Sequence, residues 1–224
     1  LKSKNMHRRN LYPYADGAGF RDEAPERIFT QFYQDRSWLL TNQESASGEG
    51  SSLHQTRLLR EGLPALLRKW GITSLLDLPC GDFNWMQHVD LSGIAYTGGD
   101  IVGELIAENR RLYGAPGRRF EQLDLLKGPL PQADAVFCRD CLVHFSYAHI
   151  EQAIAAMRRS GIRYLLTTHF PEETEAIDID TGGWRPINWL LPPFHWPAPL
   201  DLLNEGCTEM DGAFADKSVG LWEL

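Results

Sequence analysis

Apolar positions repeat along this chain with two different periods, and the switch between them marks its organisation. Near the start, Ile28, Phe29, Phe32 and Tyr33 share one helical stripe. Pro25 suits the first turn of that helix, where its missing N–H costs nothing. A second stripe runs through Leu58, Leu59, Leu63, Leu66, Leu67 and Trp70, with Pro64 expected to split it in two. From residue 74 short apolar runs take over and predict strands at 74–78, 95–99, 119–123, 135–138 and 164–168. Helical stripes stand between them, one with Leu105, Ile106 and Leu112, another with Ile150, Ala153, Ile154 and Met157 at i, i+3, i+4 and i+7. Such alternation predicts an α/β domain, a parallel sheet with helices on both faces. The chain closes with 200–209, a turn around Asp211 and Gly212, and 217–224, which together read as a hairpin of two strands.

Two segments break this rhythm. Residues 44–52 are mostly Ser, Gly and Glu, and read either as a flexible connector or as a backbone-rich flap over a ligand. Residues 171–199 gather Pro171, Pro186, Pro192, Pro193, Pro197 and Pro199 with Trp184, Trp189 and Trp196. A long irregular stretch inside a compact domain is usually functional or disordered, and this one is too aromatic for disorder. Residues 1–24 are polar and turn-rich and read as a mobile lead-in. The expected organisation is a lead-in, cap helix and flap over 1–53, then a main domain over 54–224 with a lid at about 171–199.

At 224 residues, 43% hydrophobic and 23% charged, the composition is that of one globular domain. A net charge of −8 argues against nucleic acid as a partner, since phosphate binding needs a basic surface. The one basic cluster, Lys2, Lys4, Arg8 and Arg9, reads as a solvated end. No apolar run approaches the ~20 residues of a membrane span, and no secretory signal stands out. Cys80, Cys138, Cys141 and Cys207 are scattered rather than framed as disulfides. The expectation is a cytoplasmic protein with no membrane partner, a monomer or homodimer.

Chemistry-bearing residues collect at the ends of the predicted strands. The first strand ends at Asp77 and runs into Pro79-Cys80-Gly81-Asp82-Phe83, the second ends at Asp100, and Asp124-Leu125 follows the third. Ligands of doubly wound sheets sit at the carboxyl ends of strands, and an acid after the second strand can accept from both hydroxyls of a ribose. Glycine in such a turn lets the backbone approach the ligand closely.

This ordered set resembles the class I methyltransferase signature over roughly residues 54–170. The resemblance implies S-adenosylmethionine as cofactor and a Rossmann-like seven-stranded mixed sheet with an antiparallel last strand and an N-terminal helical cap. It places Asp77 near the methionine end, Asp100 on the ribose, and Asp124 with Leu125 at the adenine. Pro79, Cys80, Gly81, Phe83, Asn84, Trp85, Ile101 and Arg139 complete the implied cofactor set. The run Phe137–Phe145 resembles the segment bordering the transferable methyl group. The glycine loop keeps only Gly81, with Pro79 and Phe83 where glycines usually stand. That loss counts against a dinucleotide, whose pyrophosphate needs the further glycines. The wording Pro-Cys-Gly-Asp-Phe-Asn-Trp resembles a distinct bacterial branch of the family, and it names no acceptor.

The remaining candidates carry open readings. Asp140 and His144 share a face if a helix begins there, giving a base oriented by a carboxylate; the alternative is a loop-capping histidine. His169 at the end of the fifth strand is either a catalytic group or an ordinary strand-end residue. Arg139 either holds an anionic acceptor or pairs with a carboxylate. In the lid, Trp184, Arg185, Asn188 and Trp189 are the candidate acceptor-binding residues; otherwise they only cover the sheet edge. Cys138, Cys141 and His144 have C-x2-C-x2-H spacing, but structural zinc needs four ligands from two separated pairs, and no metal is expected. The expected function is methyl transfer to O or N of a small-molecule acceptor, a sugar or natural-product intermediate being candidates. The rivals are a nicotinamide-dependent oxidoreductase and a non-catalytic S-adenosylmethionine-binding protein.

Overall fold

The computed structural model describes residues 16–38 and 44–224. The basic cluster and most of the expected lead-in lie outside the described residues. Seven strands form one sheet: β1 Ser74–Asp77, β2 Ala95–Asp100, β3 Arg118–Gln122, β4 Ala135–Cys138, β5 Tyr164–His169, β6 Asp201–Asn204 and β7 Ser218–Glu223. Their order across the sheet is β3-β2-β1-β4-β5-β7-β6. β1 to β5 pair in parallel, and β7 lies antiparallel to both β5 and β6.

The strands at the centre read as unbroken apolar runs because both faces are covered. Leu75 and Leu76 are successive, so they point to opposite sides. Leu75 joins Phe137 and Leu166 under helices α2 (Arg57–Lys69) and α3 (Gly103–Tyr113). Leu76 joins Val136 and Leu165 under helix α4 (Tyr147–Arg159). In α4 the expected stripe of Ile150, Ala153, Ile154 and Met157 is buried, and the Ser146 hydroxyl caps the helix by accepting from the His149 N–H. Helix α1 (Pro25–Gln34) has Pro25 in its first turn and buries Ile28 and Phe32.

Three expectations need correction. Pro64 does not split α2, which runs unbroken; Leu59 and Leu63 before it and Leu66 and Leu67 after it are all buried, and that packing carries the helix through the missing hydrogen bond. Leu112 is exposed: at 3.6 residues per turn it lies about 70° round α3 from the centre of the buried face formed by Leu105, Ile106 and Asn109. The inward position there is taken by the buried Asn109. Strand β6 stops at Asn204, well short of 209, because Glu205 turns inward to a buried arginine. Residues 171–199 hold no helix or strand; Trp189 and Trp196 stack at 4.4 Å against the β5–β7 end of the sheet. Among the described residues no helix is long and apolar enough to cross a membrane.

Candidate active site

Strand order reverses between β1 and β4, and a ligand crevice is expected outside the carboxyl ends of the strands at such a point. A cavity of about 220 Å³ opens there. After β1 the chain does not enter a helix. The Cys80 N–H reaches back to the Gly99 carbonyl at 2.7 Å, and Gly81 then turns with φ 54°. A side chain at Gly81 is excluded twice over, by that backbone conformation and by Ser47 Oγ, 2.1 Å from where a Cβ would stand. The Gly81 N–H donates to Asp100 Oδ2 at 3.2 Å, the Val102 N–H donates to Oδ1 at 3.0 Å, and Asn109 Nδ2 donates to the Gly81 carbonyl at 2.7 Å. Asp77, at the end of β1, accepts from the Tyr96 hydroxyl.

Both acids are buried and short of compensation. Desolvation pushes Asp77 up to about 7, against the Tyr96 hydrogen bond that favours its ionised form. Desolvation pushes Asp100 up to about 6, against the backbone donors of Val102 and Gly81. Each oxygen of Asp100 still has a second lone pair to offer. This edge of the cavity therefore suits a ligand that brings hydroxyl donors or positive charge.

Residues 44–52 are clamped over this edge from two sides. Ser45 Oγ and the Ala46 N–H donate to Asp82 at 3.0 and 2.6 Å, and Asn84 Nδ2 donates to Glu44 and to the Ser51 carbonyl. From the other side Arg139 Nη2 donates to the Gly50 carbonyl at 2.8 Å. Residues 46–51 line the cavity.

Beyond β4 lies a buried four-membered ion network. Arg139 grips Glu205 at 2.7 Å and lies 3.2 Å from Asp140, while Lys217 Nζ lies 2.7 Å from Asp140 and 3.6 Å from Glu205. Burial favours the neutral forms, yet mutual attraction wins: Asp140 is held well below the usual carboxylate range, and Arg139 and Lys217 are raised. Asp140 has φ 51° and is fixed by Thr168, whose hydroxyl accepts from its N–H at 2.8 Å. Of the two expected readings of Arg139, the geometry shows the paired one.

His144 and Asp140 both border the cavity, but they do not hydrogen-bond to each other. Residues 142–144 make a single 3₁₀ turn rather than the start of a helix, and His144 Nδ1 lies 2.7 Å from the Gly183 carbonyl. His169 does not reach the cavity. Its ring packs edge-on against Trp222 at 5.5 Å, burial lowers it to about 4, and the next residue, Phe170, lines the site instead. Of the four lid candidates only Trp184 lines the cavity, beside Gly182 and Gly183. Trp189 is fully buried with Nε1 on the Thr168 carbonyl, Asn188 ties the Pro171 and Glu173 carbonyls, and Arg185 lies under the Leu142 and Val143 carbonyls. Among the implied cofactor set, Phe83 and Asn84 face elsewhere. Phe83 packs on Tyr96, Tyr113 and Phe120. Asp77, Pro79, Cys80, Gly81, Trp85 and Asp100 line the cavity, as do Ile101, Asp124, Leu125 and Arg139. Sequence reasoning missed Trp38 and Lys217, and read Phe29 and Tyr33 only as a helical stripe; all four border the cavity.

No protein-family profile matches the chain, and no curated protein does. Solved structures do. The methyltransferase domain of bacterial CtHen1-CN aligns at TM-score 0.53 and 14% identity, covering 77% of this chain and all, 100%, of that one. The fold is that of the class I methyltransferases. The CtHen1-C form aligns equally, at TM-score 0.53 with 99% of its chain covered. Magnesium protoporphyrin IX methyltransferase from Synechocystis PCC 6803, with bound SAH, aligns at TM-score 0.48 and 17% identity over 66% of this chain and 74% of that one. In this fold the terminal β6–β7 hairpin supplies the antiparallel last strand, and the carboxyl ends of β1 to β4 face one cavity.

Proposed function

We propose that the protein transfers a methyl group from S-adenosylmethionine to O or N of a small molecule. One observation carries the choice of cofactor: from Cys80 to Asn84 the loop after β1 has no N–H left for a phosphate. The Cys80 N–H goes to Gly99, that of Gly81 to Asp100, that of Asp82 to Ser47 Oγ, that of Phe83 to the Cys80 carbonyl and that of Asn84 to Asp82. Only a 3₁₀ turn at Met86–His88 follows, so no helix N-terminus points at the loop. Asp77, Asp82 and Asp100 all border it, and together they repel a pyrophosphate. The same acids attract a sulfonium and accept from ribose hydroxyls, and Trp85 adds an aromatic face that favours a cation. This supports S-adenosylmethionine over a nicotinamide dinucleotide.

When bound, that cofactor supplies a methyl group on positively charged sulfur, open to in-line displacement. The chain's residues then have separate tasks. Asp100 would hold the ribose, Asp124 and Leu125 the adenine end, and Asp77 with the Gly81 turn the methionine end. The clamped flap excludes water, and Trp184 brings the lid to the acceptor side.

Calorimetry with S-adenosylmethionine, S-adenosylhomocysteine and NADH tests the reading. The two sulfur compounds are expected to bind and NADH to give no heat; binding of NADH alone would sink it. Incubation with a pooled metabolite extract, read by mass for a gain of one CH2, distinguishes an enzyme from a protein that only holds the cofactor.

A further inference from the structure

The cavity has two unlike sides. Toward β3, β2 and β1 it carries Asp124, Asp100 and Asp77; toward β4, β5 and β7 it carries aromatic rings, one imidazole and the paired Arg139, Asp140 and Lys217. Phe29 and Trp38 stack at 6.4 Å with 30° between their planes, and Phe145 lies 5.8 Å from Phe29. Elsewhere on the lining Trp184 and Phe214 meet edge-on at 5.1 Å. Ring faces are electron-rich and ring edges electron-poor, so a wall that offers both receives a flat aromatic body. Among the described residues the cations bordering the cavity are Arg139 and Lys217, and each is matched by Glu205 and Asp140. Neither is left to hold a carboxylate or phosphate, so an anionic guest gains no ion pair there.

The imidazole is set up as a base. The Gly183 carbonyl can only accept, so the hydrogen on His144 stands on Nδ1 and Nε2 keeps its lone pair. No described residue hydrogen-bonds to Nε2. Burial lowers His144 below the ordinary histidine value; the Gly183 carbonyl and Asp140 oppose the shift, and Arg185 and Lys217 add to it. The ring is therefore neutral at pH 7.

We propose that the methyl acceptor is an uncharged aromatic hydroxyl laid against Phe29 and Trp38, and that His144 Nε2 takes its proton. This rests on reading the β1–β3 side as the S-adenosylmethionine site. As the O–CH3 bond forms, the S–CH3 bond breaks and its electron pair stays on sulfur, leaving S-adenosylhomocysteine. The hydroxyl proton passes to Nε2 and from the imidazolium to water.

Binding is tested before turnover. S-adenosylhomocysteine is titrated calorimetrically into the wild type and His144→Gln, with Kd values expected to agree within about twofold; absence of binding in the wild type overturns the cofactor reading and this proposal together. The protein loaded with S-adenosylhomocysteine is then titrated at pH 6 with 4-nitrophenol, benzoate and benzylamine. Neutral 4-nitrophenol should bind at least ~10-fold tighter than either charged ring, as an unpaired buried charge is costly, and Trp38→Ala should erase the difference. Tighter benzoate or benzylamine overturns this proposal alone. In turnover, His144→Gln should lose about 10²–10⁴-fold with phenol at pH 7, the usual worth of a positioned base. The loss should shrink below about 10-fold with 4-nitrophenol at pH 9, which is already ionised and needs no base. Equal losses on the two phenols would show a structural role and overturn the assignment. Should the variant not fold, kcat/KM of the wild type with phenol must rise with pH through a group below 6.5; a flat profile overturns it.

Discussion

The two sides of the cavity are built in opposite ways. On the β1–β3 side, the buried carboxyls of Asp77 and Asp100 meet backbone N–H groups and a tyrosine but form no ion pair, and desolvation raises both. On the β4–β7 side, buried carboxylates and cations lie in contact and hold one another fully charged. The first is an unfinished electrostatic arrangement that a ligand completes. The second is complete without one, and its task is to hold the ends of β4 and β7, the 205–217 crossing and the flap in one geometry.

The contrast is broken most severely from the complete side. Glu205→Ala leaves Arg139 and Lys217 with Asp140 as their one direct ion-pair partner, in a place where their side chains are 5% and 7% exposed. Removing one partner of a buried ion pair costs about 3–5 kcal/mol. For a domain of this size that is a Tm fall of roughly 6–20 °C, to be read by calorimetric scanning. A fall under about 2 °C would mean the network is solvated and the contrast false.

The matching change on the other side acts on the ligand instead. Asp100→Asn keeps one acceptor for the backbone donors but removes the charge that two ribose hydroxyls would meet. Hydrogen bonds to charged groups contribute about 1.5–3 kcal/mol, so affinity for S-adenosylhomocysteine should fall roughly 10- to 100-fold while Tm without ligand moves little. Calorimetric titration checks it; unchanged affinity would remove Asp100 from the ribose.

These unlike designs also explain what the sequence could disclose. Asp77, Gly81, Asp100 and Asp124 each sit at or just after a strand end, so hydrophobic runs and spacing suffice to bring them together. The fold followed from the same runs, as did the flanking helices. The other side joins residues far apart in the chain: Lys217 with Asp140 across 77 positions and Arg139 with Glu205 across 66. No periodicity reports such pairs. His169 shows the limit at its finest, because successive strand residues face opposite ways. A strand end was identified correctly, yet the cavity received Phe170 and the core received the histidine. The lid candidates divide for a related reason: Trp184 lines the cavity and Trp189 does not. Trp189 and Trp196 cover the sheet edge, and composition alone does not say which aromatic is cover and which is wall.

The smallest effect is the most discriminating, because the two sides should answer acid with opposite signs. Asp140 has a depressed folded pKa, so its stabilisation is present above the unfolded value near 3.8 and is lost as pH falls below it. Asp77 is raised to about 7 from 3.8, so between those values the folded state binds more protons than the unfolded chain, and stability declines as pH rises. Asp77→Asn removes that titration. The Tm of the variant relative to the wild type should therefore climb steadily from pH 5 to pH 8 and level off above, by a few degrees at most once water penetration is allowed for. A bound ligand that brings positive charge should lower the Asp77 pKa, release protons on binding below pH 7 and flatten the difference. Calorimetric titration in two buffers of different ionisation heat counts those protons. A variant whose Tm tracks the wild type at every pH would place water or a cation beside Asp77 already, and the β1 side would then be as complete as the β4 side.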